Sequence, residues 1–189
     1  MTVRSPSPSS SSPSTSRPDT PEAVLKHYFG YDQFRPGQRQ VIEAVLKNQD
    51  VLVVMPTGGG KSLCYQLPAL LKLGVTVVVS PLIAHMQDRV DSLPDNGIAA
   101  TCLNSSIAYD TLRQREAALL KGDIKLLYIS PERLVSPGFL QLLEQLSQQV
   151  GISCFAIDEA HCVSEWGHDF RPEYRQLSIL RAHFPQVAT

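Results

Sequence analysis

The chain has 189 residues, 43% apolar and 19% charged, and its 17 basic and 18 acidic side chains leave a net charge of −1. That length allows one domain, at most one and a half, and buries enough apolar surface to fold without disulfides. The charge balance argues against a globally basic binder of nucleic acid, so any basic groove is local; no apolar run approaches the roughly 20 residues that span a bilayer, and the N-terminus lacks the apolar core of a secretion signal.

Residues 5–18, SPSPSSSSPSTSRP, contain eight serines and four prolines. Such a segment cannot bury enough surface to offset its ordering entropy. Residues 1–19 are therefore expected to form a disordered tail, at most a spacer or phosphorylation target. The fold is expected to begin at Thr20-Pro21-Glu22, an N-cap with proline at the first helical position. Five strand-like runs follow: Val51–Met55, Val75–Val79, Ala99–Leu103, Ile124–Ile129 and Ile152–Ile157. Most are continuously apolar, as central strands covered on both faces should be. Helical periods fill the gaps. Phe139, Leu142, Leu143, Leu146 and Val150 mark one apolar stripe, and Leu177, Leu180 and Phe184 another. Strands separated by helices predict an α/β domain with right-handed crossovers and a mostly parallel sheet. The four cysteines, Cys64, Cys102, Cys154 and Cys162, include no C-x-x-C pair and read as reduced thiols.

Each run ends in polar residues, Gly or Pro: Pro56 to Gly60, Ser80-Pro81, Asn104-Ser105, Ser130-Pro131 and Asp158-Glu159. In a parallel sheet these lie along the carboxyl edge, where open α/β folds bind ligands. The first group carries the clearest chemistry. Val51 to Ser62 is a strand-like run, a glycine-rich turn and the start of a helix, ending in Gly60-Lys61-Ser62. Glycines let backbone N–H groups curl around phosphate oxygens, and the helix N-terminus adds its positive end. Thr57, Gly58, Gly59 and Gly60 are the expected cradle. Lys61 is expected on the β and γ phosphates, and the Ser62 hydroxyl on Mg²⁺. The general pattern wants glycine where Met55 stands.

Asp158-Glu159 follows 97 residues after Lys61, at the end of another apolar run. Beside a phosphate-binding loop, Asp158 is placed to bind Mg²⁺ and Glu159 to deprotonate an attacking water. His161, next to them, is a candidate link between the γ-phosphate and the rest of the machinery. His161, Cys162 and His168 do not fit a four-ligand zinc site.

Taken together, Phe34-Arg35-Pro36-Gly37-Gln38 with Tyr31 before it, Met55 to Ser62, Ser80-Pro81-Leu82-Ile83, Asp158 to His161 and the run Cys162 to Tyr174, ending in WGHDFRPEY, resemble the RecQ family of superfamily 2 DNA helicases. The resemblance runs from about Ala23 to the last residue, and this family does not keep glycine at the place of Met55. It implies a RecA-like P-loop lobe, the first of two motor lobes, with helices on both faces of its sheet. It also implies ATP and Mg²⁺ as cofactors and 3′ to 5′ unwinding of DNA in recombination and repair. By position, Gln38 is expected to read adenine, Tyr31 and Arg35 to sandwich the base, and Lys61, Asp158, Glu159 and His161 to be catalytic. Trp166, Phe170 and Arg171 are expected on single-stranded DNA, where aromatic stacking contributes about 1–3 kcal/mol per base. Ser80, Pro81, Asn104, Ser105, Ser130 and Arg133 are expected to contact its backbone.

Two positions depart from the family: His85 stands where leucine is usual, and Arg89 where glutamine is usual. The next family motif, the second lobe with its arginine finger, and the zinc, winged-helix and docking domains are absent from these 189 residues. Such an arginine contributes about 10³–10⁵ in rate in related enzymes. The sequence thus reads as an N-terminal lobe of residues 20–189 that binds single-stranded or forked DNA, with little turnover of its own. An isolated nucleotide-dependent binding module and an RNA-remodelling helicase are the alternatives. The expected location is cytoplasmic and DNA-associated, nuclear in a eukaryote, and off the membrane.

Overall fold

The computed structural model describes residues 18–104, 107–164 and 170–189. Residues 1–17 of the expected tail, Ser105, Trp166 and His168 lie outside these ranges. So does the side chain of His85.

The first helix, α1 (Pro21–Phe29), starts where proline and its cap predict. Thr20 Oγ1 accepts from Ala23 N at 3.2 Å, and Gly30 ends the helix in the left-handed region at φ 71°. Then come α2 (Gln38–Leu46), α3 (Leu63–Leu71), β1 (Val75–Val79), α4 (Ile83–Ser92), β2 (Ala100–Leu103), α5 (Tyr109–Leu120), β3 (Leu126–Ile129), α6 (Pro131–Leu134), α7 (Pro137–Gln149), β4 (Ile152–Ile157), α8 (Pro172–Arg175) and α9 (Ser178–His183). The strands form a four-stranded parallel sheet in the order β2-β3-β1-β4. Val77 pairs with Leu127 on one side and Phe155 on the other.

Two apolar layers sandwich the sheet. One packs α1 to α4 against Val78, Cys102, Leu126 and Tyr128. The other packs α7 and α9 against Val77, Val79, Leu127 and Ile129. The stripe read on α7 is the stripe it buries: Phe139, Leu142, Leu143 and Leu146. All five residues of β1 and all four of β3 are buried, as their unbroken apolar runs predict.

Three strand expectations need correction. β2 starts at Ala100 rather than Ala99, and β3 at Leu126 rather than Ile124. The larger change is Val51–Met55, which is not a strand of the sheet. Leu52 and Val54 are 85% and 89% exposed. The reason is pairing: an apolar run becomes a strand only beside a backbone that satisfies its N–H and C=O groups. Between this segment and β4 lies an apolar cavity of about 880 Å³, lined by Val53, Phe155, Tyr174, Leu180 and Ala188 among others. Ala188 and Thr189 line it as well; Val51 N donates to Thr189 O at 3.0 Å and Phe155 N to Ala188 O at 2.9 Å.

Candidate nucleotide site

The sheet brings the glycine loop and the acidic pair to one cavity of about 500 Å³, a size typical of small-ligand sites. Its wall includes Thr57 to Ser62, Arg89, Asp158 and Glu159, together with Tyr31, Arg35 and Gln38. The larger apolar gap shares Lys61, Asp158 and Glu159 with this wall but not the glycines, so the smaller cavity is the one that joins the glycine loop to the acidic pair.

The loop begins with a tight turn in which Gly59 N donates to Pro56 O at 2.9 Å. Gly60 has φ +85°, and a Cβ there would run into Gln38 Nε2. Glycine is thus favoured by backbone conformation, and a side chain there would displace the Gln38 amide. Lys61 Nζ donates to Met55 O at 3.2 Å, folding the ammonium onto its own loop.

Gln38 is buried, and its amide is committed to this loop. Nε2 donates to Gly60 O at 3.2 Å, and Oε1 accepts from Arg35 N at 2.8 Å. Arg35 donates through its guanidinium to Gly58 O. Tyr31 is 55% exposed at the cavity mouth. The three residues expected to hold the base thus sit beside the loop, with Gln38 and Arg35 bracing it.

Asp158 and Glu159 leave the end of β4. Asp158 N donates to Val79 O at 2.8 Å, which ties the turn to β1. Asp158 Oδ1 accepts from Glu159 N at 3.1 Å, and Oδ2 faces Arg89 Nη1 at 3.3 Å. Glu159 takes left-handed backbone angles at φ 52°. Its Oε2 lies 3.3 Å from His161 Nδ1, so the expected Glu159–His161 neighbourhood is formed. Ser62 and Asp158 supply a hydroxyl and a carboxylate to the same cavity. An oxygen donor set with few protein ligands fits Mg²⁺ held largely by phosphates and water.

The carboxyl-edge residues expected on DNA are mostly inward-facing. Ser80, Pro81, Asn104 and Ser130 are buried. The Ser130 hydroxyl is spent as the cap of α6, accepting from Arg133 N at 3.4 Å. Arg133 is 28% exposed and lies 3.7 Å from Glu116. Arg171 pairs with Glu132 at 3.3 Å, and Phe170 is half-buried. Ser105 and Trp166 lie outside the described residues.

A set of aromatic hydroxyls under the site escaped sequence reasoning. Tyr174 Oη donates to Asp158 O at 2.8 Å. Gln66 Nε2 donates to Tyr128 Oη at 2.9 Å, and Arg89 Nη1 to Tyr65 Oη at 2.6 Å. Burial holds the phenols of Tyr65, Tyr128 and Tyr174 above their usual range. The one sequence signal for them was polar-tipped aromatics in apolar segments, whose hydroxyls need partners once buried.

A parallel sheet with a glycine-loop lysine and an acidic pair on its carboxyl edge defines a P-loop α/β domain of the RecA-like kind. A sequence model of the DEAD/DEAH box helicase family matches residues 35–188, and the chain belongs to that family. It is 54% identical over 166 residues to the ATP-dependent DNA helicase RecQ of Haemophilus influenzae, covering 87% of this chain and 26% of that protein. With RecQ of Bacillus subtilis it shares 49% over 160 residues, covering 84% and 26%. The chain thus spans about a quarter of the length of these curated relatives. A hypothetical ATP-dependent RNA helicase from Sulfolobus tokodaii superposes with a TM-score of 0.65 at 20% identity, covering 88% of this chain and 47% of that one, a likeness of fold. Among the described residues, no helix is long and apolar enough to cross a membrane.

Proposed function

We propose that this lobe binds ATP with Mg²⁺ and drives 3′ to 5′ unwinding of DNA, at single-stranded or forked sites, as part of a RecQ-type helicase of recombination and repair. The observation that carries this reading is the meeting of Lys61, Ser62, Asp158 and Glu159 on one glycine-lined cavity, in a chain half identical to proteins named ATP-dependent DNA helicases.

In this reading, the Thr57–Gly60 backbone cradles the phosphates and Lys61 neutralises the β and γ charges. Ser62 and Asp158 hold Mg²⁺, which when bound offsets phosphate charge during transfer. Glu159 accepts the proton of the attacking water, and His161, 3.3 Å away, relays the state of the site outward. Tyr31, Arg35 and Gln38 take the adenine once the Gln38 amide lets go of Gly60. Trp166, Phe170 and Arg171 hold unpaired bases. Arg171 is already tied by Glu132 to α6, the short helix at the end of β3. The location is DNA-associated, in cytoplasm or nucleus.

The test is nucleotide binding by the 189-residue chain, followed with a fluorescent ATP analogue, beside ATP turnover with and without single-stranded DNA or RNA. Binding that Lys61→Ala weakens at least tenfold is expected, with turnover close to that of the variant. Binding indifferent to Lys61→Ala would sink the site. Stimulation of turnover by RNA rather than DNA would favour an RNA-remodelling role.

A further inference from the structure

Arg89 occupies an unusual place for a cation. It projects from α4 into the nucleotide cavity, on the same wall as Lys61, Ser62, Asp158 and Glu159. Its Nη1 lies 2.6 Å from Tyr65 Oη and 3.3 Å from Asp158 Oδ2. The Asp158 side chain is only 9% exposed and that of Arg89 34%, so solvent screens this pair less than one on the surface. The guanidinium carries its charge at any working pH. The Tyr65 phenol stays neutral, because burial lifts it well above its ordinary range. Tyr65 therefore acts as a dipole that orients Arg89 and adds no opposing charge.

The same tyrosine interacts with the Ser62 side chain. A continuous polar chain thus runs Ser62–Tyr65–Arg89–Asp158, and its two ends are the two side chains whose oxygens suit a divalent cation. The other Asp158 oxygen is taken by Glu159 N. Both carboxylate oxygens are engaged, one of them by a full positive charge.

We infer that Arg89 is a competitor of the divalent cation for Asp158, so that residue 89 sets the Mg²⁺ concentration at which the nucleotide site loads. This rests on the reading of the cavity as a Mg²⁺-nucleotide site. Arg89 holds Oδ2 and must give it up before a cation takes it. Two cations cannot share one carboxylate oxygen at contact distance without strong repulsion. Arg89 is thus a positioning residue. It acts through Asp158 and lowers the affinity of the lobe for the metal-bound nucleotide relative to the nucleotide alone.

The experiment is a Mg²⁺ titration of the binding of a fluorescent ATP analogue to the 189-residue chain, compared with Arg89→Gln and Arg89→Lys. Arg89→Gln is expected to lower the half-saturating Mg²⁺ concentration about tenfold, equivalent to about 1.4 kcal/mol. Arg89→Lys, which keeps the charge, should stay within about threefold of the parent, a margin of about 0.65 kcal/mol at the same conversion. Tyr65→Phe, which removes the orienting hydroxyl but keeps the ring, should shift the midpoint the same way as Arg89→Gln, and it reads the idea independently if Arg89→Gln does not fold. An Arg89→Gln midpoint equal to or above the parent's, with Lys61→Ala still abolishing nucleotide binding, overturns the role of Arg89 and leaves the site intact. Absence of Lys61-dependent binding at every Mg²⁺ concentration overturns the site itself, and this role with it.

Discussion

Gly60, Gln38 and Tyr174 show how single residues hold the phosphate loop and the acidic pair in place. Gln38 spends its buried amide on the carbonyls of the loop, and Gly60 leaves room for it only by lacking a side chain. Gly60→Ala should therefore act in two ways. It places a Cβ where Gln38 sits, and it forces an L-residue into φ +85°, a strain of about 1–2 kcal/mol. The expected outcome is a folded chain with nucleotide affinity at least tenfold weaker, read by the fluorescent analogue with circular dichroism as the control. Unchanged affinity would mean that the loop is not the phosphate cradle. The glycines, Lys61 and Asp158-Glu159 were readable as a local pattern, because each set is contiguous. Tyr65, Arg89 and Tyr174 were not, because their partners lie 16 to 69 residues away.

At the level of elements, the apolar period was a good guide to helices. It read the stripe of α7 and the cap of α1 correctly, because a helix satisfies its backbone within itself and needs only one face covered. It misread Val51–Met55 because a strand's hydrogen bonds belong to its neighbour. Val51 N donates to Thr189 O across the gap beside this segment, while Leu52 to Val54 belong to no strand of the sheet. Hydrogen exchange should report the difference. The amides of Leu52 to Val54 should exchange far faster than those of β1, which is hydrogen-bonded on both sides. Equal protection would show that the segment is held in a ladder.

For the whole molecule, the buried titratable groups set the alkaline limit. Burial raises the Cys64 thiol to about 11 and also lifts Cys154 and the phenols of Tyr65, Tyr128 and Tyr174. Unfolded thiols titrate near about 8.5 and phenols near about 10. Above those values the folded chain holds more protons than the unfolded one, so stability falls as pH rises. The stabilisation is fully present below about pH 8.5 and drains as pH climbs through about 11 for Cys64, a loss on the order of 3 kcal/mol from that group alone. Urea midpoints under reducing conditions should drop between pH 8 and pH 10.5, less steeply in Cys64→Ala. A flat profile would contradict this burial.

The sequence by itself determined the chemistry that the chain carries. The glycine turn, Lys61-Ser62, Asp158-Glu159 and the apolar runs of β1, β3 and β4 are local patterns that dictate a glycine loop, a carboxylate pair and a buried parallel sheet. Tertiary structure alone decided which apolar run enters the ladder, which edge side chains turn inward, and which cation meets Asp158. Strand pairing and ion pairing are contacts between distant segments. Their energies depend on distances that only the packed fold sets.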